Sequence, residues 1–98
     1  MVIEQYAKRI SGEKKAQVLL FALSTCGWCR KTKNLLSELG VEYNYIDVDQ
    51  VDELARKEIL NELGKWNERR TFPTLVVNND TSVVGFQEEE IRGLLGVG

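Results

Sequence analysis

The residues best suited to carry out chemistry in this chain are its only two cysteines, Cys26 and Cys29, within a Cys-Gly-Trp-Cys segment. An apolar run at positions 18–23 precedes them, and a helical pattern follows. Two thiols one helical turn apart can close a short disulfide without large movement of the backbone. A strand, a Cys-x-x-Cys segment and a helix in this order therefore predict a site for dithiol–disulfide exchange.

The two cysteines are expected to have different roles. At the start of a helix, Cys26 faces unpaired backbone N–H groups and the positive end of the helix dipole, and both favour the thiolate over the thiol. Arg30, Lys31 and Lys33 add positive charge nearby. Cys29 falls on the apolar stripe of the helix and should be less accessible. We therefore expect Cys26 to attack a disulfide and Cys29 to resolve the mixed disulfide.

Two other uses of the cysteine pair stay open beside exchange chemistry. A tetrahedral zinc site usually takes four Cys or His ligands, whereas this chain has two cysteines and no histidine. We therefore predict no metal site within one chain. An iron–sulfur cluster that Cys26 ligates across a dimer is the first alternative, and a pair of buried cysteines without chemistry is the second. Trp28, between the cysteines, is either an exposed contact for a substrate peptide or a side chain packed on a neighbouring loop.

The length, the net charge and the apolar stretches of the chain limit the classes of protein to which it can belong. Ninety-eight residues form one domain, and a net charge of −2 argues against general nucleic-acid binding. No apolar stretch approaches the roughly 20 residues of a membrane span, and the N-terminus lacks the order of a secretory signal. We therefore expect a cytoplasmic protein without a membrane partner. In that compartment a Cys-x-x-Cys pair is more often catalytic or metal-binding than structural.

The pattern of apolar residues predicts an α/β domain with the order β-α-β-α-β-β-α and a mixed four-stranded sheet flanked by helices. Ser24 or Thr25 is expected to cap the first helix, and Gly40 to end it. Residues 1–16 are interpreted as an N-terminal extension with a short helix, and residues 17–98 as the main domain. The strands are predicted at 18–23, 41–48, 74–78 and 81–84, and the helices at 27–39, 49–66 and about 87–95.

Three segments together resemble a glutaredoxin, and the resemblance covers about residues 17–96. They are the Cys-x-x-Cys segment after a strand, residues 71–74 (Thr-Phe-Pro-Thr) before a hairpin, and residues 84–86 (Val-Gly-Phe) before the last helix. The resemblance implies a thioredoxin-like fold and a dithiol oxidoreductase with no tightly bound cofactor. It also implies that Pro73, the sole proline, is cis and that its loop faces Cys26.

The resemblance implies a binding site for glutathione or substrate around the cysteines. The backbone of Phe72 is expected to pair with the peptide of the bound thiol. Arg69 and Arg70 could supply positive charge beside that site, and the backbone N–H groups near Gln87 could face an anion. The substrate- or glutathione-binding residues predicted in this way are Thr25, Trp28, Arg70, Thr71, Phe72, Pro73, Gly85, Phe86 and Gln87.

Several positions depart from the family pattern. Glutaredoxins often carry a lysine three residues before the first cysteine, where it helps to bind a carboxylate of glutathione, and this chain has Leu23. The usual Gly-Gly before the last helix is Val84-Gly85. A Gly-Phe pair resembles the glutaredoxin-like electron donors of ribonucleotide reductase, which take electrons from a thioredoxin reductase. Glutathione and such a reductase are therefore both candidate reductants.

We therefore expect a monomeric thiol–disulfide oxidoreductase that reduces protein or glutathione mixed disulfides through Cys26 and Cys29. Its expected partners are disulfide-containing proteins and one of the two reductants, in electron transport and cell redox homeostasis. The cluster carrier bridged by Cys26 remains the alternative from another class. A binding module without catalysis is a third.

Overall fold

The computed structural model describes residues 2–96 of the chain. The predicted extension starts at residue 1 and the predicted domain ends at residue 98, so positions 1, 97 and 98 lie outside the described residues. The strands are β1 (Lys8–Ile10), β2 (Val18–Ala22), β3 (Tyr43–Asp47), β4 (Thr74–Val77) and β5 (Thr81–Val84), and the α-helices are α1 (Gly27–Glu38), α2 (Glu53–Trp66) and α3 (Glu88–Leu94). Two 3-10 helices, Val2–Tyr6 and Val48–Gln50, complete the order.

The five strands form one mixed sheet in the order β1-β3-β2-β4-β5. The central strand β2 runs parallel to β3 and antiparallel to β4, and β4 forms a hairpin with β5. All five residues of β2 are buried, as expected for a strand covered on both faces. The α/β class, the parallel crossover and the closing hairpin are thus confirmed.

The sheet has a fifth strand that the sequence pattern did not reveal. Residues 8–10 pair antiparallel with β3 at its outer edge. The spacing of apolar residues predicted one short helix in this region, and the 3-10 helix Val2–Tyr6 occupies only its first part. All three β1 residues are exposed, so the strand leaves no alternation of buried and exposed positions to detect.

Two apolar clusters lie on opposite faces of the sheet, and consecutive residues of β2 belong to different ones. Leu20 packs with Leu36 of α1 and Ile91 of α3, whereas Phe21 packs with Ile59 of α2. This alternation is the period-2 geometry of a strand. Ile3, in the predicted extension, is 2% exposed and belongs to the α2 cluster. The N-terminal segment therefore contributes to the same core as the predicted domain.

The ends of two helices differ from the predicted ones. Cys26, rather than Ser24 or Thr25, occupies the N-cap of α1. The second helix begins at Glu53 instead of residue 49, because the Asp52 side chain accepts a hydrogen bond from the Ala55 N–H at 2.8 Å and caps it there. Within the described residues, no helix is both long and apolar enough to cross a membrane.

Candidate dithiol site

The cysteines lie where β2 ends and α1 begins, and the structure holds them in different environments. Cys26 is half-buried, whereas Cys29 is completely buried. Both are free thiols. The Cys29 N–H donates a hydrogen bond of 3.2 Å to Cys26 Sγ, so this sulfur takes the position of a helix-capping acceptor. The sulfur of Cys26 thus accepts an N–H group from the first turn of the helix, and the assignment of roles to the two cysteines stays a prediction.

Burial controls the protonation of Cys29. Removal from water raises the pKa of the Cys29 thiol to about 12, and its hydrogen bond with Cys26 acts in the same direction. A backbone hydrogen bond with Leu23 and the charge of Lys33 oppose this rise of the pKa. Burial therefore favours the protonated thiol of Cys29 at neutral pH.

A carboxylate holds the loop that leads into Cys26. Asp49 Oδ1 accepts a hydrogen bond from the Ser24 N–H at 2.8 Å, and its other oxygen accepts from the Ser24 hydroxyl. The Gln50 side-chain amide donates to the same carboxylate at 3.1 Å. The hydrogen bonds from Ser24, more than that from Gln50, lower the pKa of Asp49 to about 2. The sequence analysis missed this residue, and its only signal was an acid just after a predicted strand.

The low pKa of Asp49 predicts how stability depends on pH. Because this pKa is lower in the folded than in the unfolded chain, the contribution of Asp49 is fully present above about pH 4 and is lost as the pH falls towards about 2. Asp49→Asn should remove that part of the dependence, and Ser24→Ala should weaken it. Urea unfolding between about pH 2 and pH 6 measures it. Superimposable curves for wild type and Asp49→Asn would contradict the assignment.

The proline loop lies beside the end of β2. The Phe72–Pro73 peptide bond is cis, as the resemblance implied. Phe21 of β2 pairs with Thr74 of β4, which brings the residues before Thr74 to the end of β2 from which the cysteine segment starts. The Gly85 N–H donates to the Pro73 carbonyl at 2.8 Å and ties the loop to the turn before α3. The predicted residues Phe72, Pro73 and Gly85 are therefore brought together.

A buried asparagine fixes the other side of this loop. Asn67 is 8% exposed, and its side-chain amide donates to the Thr71 hydroxyl at 2.9 Å and to the Thr74 hydroxyl at 3.0 Å. The Thr74 hydroxyl in turn donates to the Thr71 carbonyl at 2.8 Å. Asn67 follows the last residue of α2, and its sequence gave no sign of this role. It orients the residues that the resemblance assigns to binding.

Trp28 and Phe86 join the two sides of the site. Their ring centroids are 6.0 Å apart at an interplanar angle of 28°, and the Lys31 ammonium lies 4.7 Å from the centre of the Trp28 ring. Trp28 still exposes 58% of its surface. Trp28 therefore packs on the turn before α3 and also exposes an aromatic face to solvent, whereas its contact with a substrate peptide stays a prediction.

The remaining predicted residues lie in three different settings. Thr25 is exposed in the turn before Cys26, and Gln87 is at the N-cap of α3 without a capping hydrogen bond from its side chain. Arg70 differs from the expectation of an open cation. Its Nε donates to the Leu60 carbonyl at 2.8 Å, and its guanidinium packs so closely on Gly64 that a Cβ there would clash with it.

The position of the family lysine has an apolar environment. Leu23 lines a shallow hollow beside the proline loop, together with Leu60, Phe72 and the carboxylate-bearing Asp49. Arg56 is at the same hollow, and its Nε donates to the Val48 carbonyl at 3.3 Å. Among residues 2–96, no three His, Cys, Asp or Glu side chains are grouped as a metal site. A cluster shared by two chains stays a prediction.

The part of the chain from the start of β2 into β5 matches a known protein family. The family model described as Glutaredoxin matches residues 18–82, a span that includes both cysteines and the cis-proline. The chain belongs to the glutaredoxin family. Glutaredoxins are thiol–disulfide oxidoreductases, and this member carries the Cys-x-x-Cys motif at Cys26 and Cys29.

Solved structures and curated sequences resemble this glutaredoxin over different lengths. The glutaredoxin from Methanosarcina mazei Go1 is 40% identical, with a TM-score of 0.86 over 93% of this chain and 88% of its own. Methanosarcina acetivorans methanoredoxin is 37% identical, with a TM-score of 0.88 over 91% and 95%. These neighbours confirm the thioredoxin-like fold. Glutaredoxin-C1 of Arabidopsis thaliana is 27% identical over 63 residues, which are 64% of this chain and 49% of that protein, so the chain spans about half of its length.

Proposed function

We propose that this glutaredoxin reduces disulfides of protein substrates through a two-cysteine cycle. The Cys26 thiolate attacks one sulfur of the substrate disulfide, that S–S bond breaks, and the other substrate sulfur leaves as a thiolate. Cys29 then loses its proton and attacks Cys26 Sγ, which releases the second substrate thiolate and leaves a Cys26–Cys29 disulfide. The observation that supports this cycle is the contrast between the half-buried Cys26, whose sulfur accepts an N–H of α1, and the buried Cys29.

The cycle needs a reductant, because each turnover transfers two electrons from the dithiol to the substrate. We propose a thioredoxin-reductase-type flavoprotein in preference to glutathione. Leu23 replaces the lysine that receives a glutathione carboxylate in relatives, and at its hollow the negative charge of Asp49 offsets the positive charge of Arg56. Arg70, the expected substitute cation, is bound to α2. In this proposal the protein acts as a cytoplasmic monomer without a tightly bound cofactor.

Coupled assays with NADPH test both parts of the proposal. One assay supplies glutathione and glutathione reductase, the other supplies thioredoxin reductase, and each contains insulin as the disulfide substrate. We expect NADPH consumption with thioredoxin reductase and much slower consumption with glutathione. A response to glutathione alone would reject the proposed reductant and keep the cycle. No acceleration of insulin reduction over the uncatalysed rate, with either reductant or with dithiothreitol as a direct donor, would reject the cycle.

Trp28 is proposed to contact the polypeptide around the substrate disulfide, because its exposed face lies two residues from Cys26. Trp28→Ala should raise KM for insulin by roughly threefold to tenfold, since an aromatic contact contributes about 0.5–1.5 kcal/mol. Trp28→Phe keeps an aromatic face and should lie closer to wild type. Steady-state kinetics with insulin and with a small mixed disulfide measure the effect. Equal losses on both substrates would show that Trp28 supports the dithiol and not the substrate chain.

A further inference from the structure

An ion pair between α1 and β3 has no role in the two-cysteine cycle as proposed above. Lys33 Nζ lies 2.9 Å from Asp47 Oδ1 and 4.2 Å from the centre of the Tyr45 ring. The two charged side chains are only 24% and 18% exposed. A surface lysine samples many rotamers, whereas this ammonium contacts both Asp47 and Tyr45 of β3. Its charge therefore occupies a fixed position between the helix and the sheet.

This fixed charge is close to the resolving cysteine. Lys33 follows Cys29 by four residues in α1, so both side chains are on the same face of the helix. Asp47 pairs with Ala22 in the parallel register of β3 and β2, which places the ion pair beside the end of β2 that leads into the cysteine segment. The charge of Lys33 acts on the Cys29 thiol and favours its thiolate against the effect of burial.

Few other charges act on the Cys29 thiol. Within α1 the titratable groups that act on it are Cys26 and Lys33, and the loop after β2 contributes only the backbone of Leu23. From β3, Asp47 and Tyr45 reach this region as contacts of Lys33, and Tyr43 belongs to the same apolar cluster as Cys29. The other elements of its cluster contribute apolar side chains, such as Leu75 of β4, Val83 of β5 and Ile91 of α3.

We propose that Lys33 is a positioning residue for the second step of the cycle, where its ammonium, held by Asp47, stabilises the Cys29 thiolate that attacks the mixed disulfide. In this step the Cys29 S–H bond gives its proton to a solvent base. The Cys26–substrate S–S bond breaks, the Cys26–Cys29 bond forms and the substrate sulfur leaves as a thiolate. The inference rests on the proposed two-cysteine cycle. It adds Lys33 as the group that promotes the attack by Cys29.

Ellman's reagent separates the two steps, because each releases one thionitrobenzoate. Attack by Cys26 on the reagent releases the first and leaves a mixed disulfide on Cys26. Attack by Cys29 on that mixed disulfide releases the second. Stopped-flow absorbance after mixing reduced protein with one equivalent of reagent, at a series of pH values, gives the rate constants of both phases. The ratio of the second rate constant to the first is the quantity of interest.

Opposite changes are expected for the two members of the ion pair. Lys33→Met should lower the ratio by about tenfold and move the pH profile of the second phase upward by about one unit. Asp47→Asn removes the charge that offsets Lys33 and should move the profile downward. Lys33→Arg keeps the charge and should stay within about threefold of wild type. If Lys33→Met does not fold, the downward shift of Asp47→Asn still supports the proposal.

Two results would overturn the inference. Unchanged profiles in both Lys33→Met and Asp47→Asn would show that the pair does not act on Cys29. Slowing of the second phase by both variants without opposite pH shifts would show a purely structural ion pair. In either case a normal second phase in wild type leaves the proposed cycle intact. Absence of a second phase in wild type would reject the cycle and this inference together.

Discussion

Cys29→Ser is expected to stop the cycle at the mixed disulfide and to slow reduction of insulin by on the order of 100-fold or more. The wild-type second step is intramolecular, and well-oriented groups in one molecule react as if present at up to about 10⁵–10⁸ M. A millimolar external thiol cannot match that concentration when it replaces Cys29. The serine is close in size to the cysteine and fits the fully buried position, so the variant should fold.

Mass spectrometry of the non-reduced Cys29→Ser protein after brief exposure to substrate measures the trapped species. The expected mass is that of the protein plus one substrate chain joined at Cys26. Cys26→Ser is the matched control, and it should form no mixed disulfide because the buried, protonated Cys29 does not attack. Wild-type rates of insulin reduction in Cys29→Ser, or labelling of Cys29 in the control, would reverse or reject the assigned roles.

Ile3→Ala is expected to lower the free energy of unfolding by about 2–5 kcal/mol, the usual cost of truncating a buried isoleucine and leaving a cavity. Ile3 is 2% exposed and packs in the cluster of Ile59 and Leu63 of α2. The loss should therefore appear in the global unfolding transition of the domain and not as fraying of a separate segment.

Ile10→Ala provides the control for this prediction, because the same substitution is made in the same N-terminal segment. Ile10 is on β1 and is 37% exposed, so its truncation should cost less than about 1 kcal/mol. Urea unfolding followed by circular dichroism and by tryptophan fluorescence compares the two variants. Equal and small effects would mean that residues 2–10 pack loosely and that the core of α2 is complete without Ile3.

The parts of the fold and site that depend on local signals could be predicted from the sequence. An apolar run marks the central strand, and Cys-x-x-Cys before a helical pattern marks the start of α1. The single proline directly precedes β4, and the Gly85-Phe86 turn lies between β5 and α3. Each of these signals lies within a few residues of the structural element that it marks. It can therefore be recognised from the local sequence alone.

The structural features that the sequence did not predict are of two kinds. Some depend on contacts between residues distant in sequence, and others on burial that the spacing of apolar residues does not reveal. Asp49 meets Ser24 across 25 positions, and no local pattern announces such a pair. Leu54, an apolar residue of α2, is 71% exposed. It lies in the first turn, beyond the buried stripe of Ala55, Ile59 and Leu63.

The N-cap residue of α1 is a third feature that differs from the prediction. Ser and Thr are the usual capping residues, so Ser24 and Thr25 were the expected ones. The Ser24 hydroxyl is instead taken by Asp49, and the sulfur of Cys26 accepts the free N–H of the helix. Cysteine is not among the usual capping residues, so the preference for Ser and Thr did not indicate Cys26.

The short outer strand β1 also affects how two copies of the molecule meet. Without it, the unpaired backbone groups of β3 would form an open edge, on which a second chain could add a strand and start aggregation. With it, the outermost strand is only three residues long and presents Lys8 and Arg9, both exposed. Two such edges repel each other when they approach, and few backbone hydrogen bonds are available to offset the repulsion. A short outer strand with exposed basic residues is one of the ways in which a sheet edge discourages pairing with a second chain.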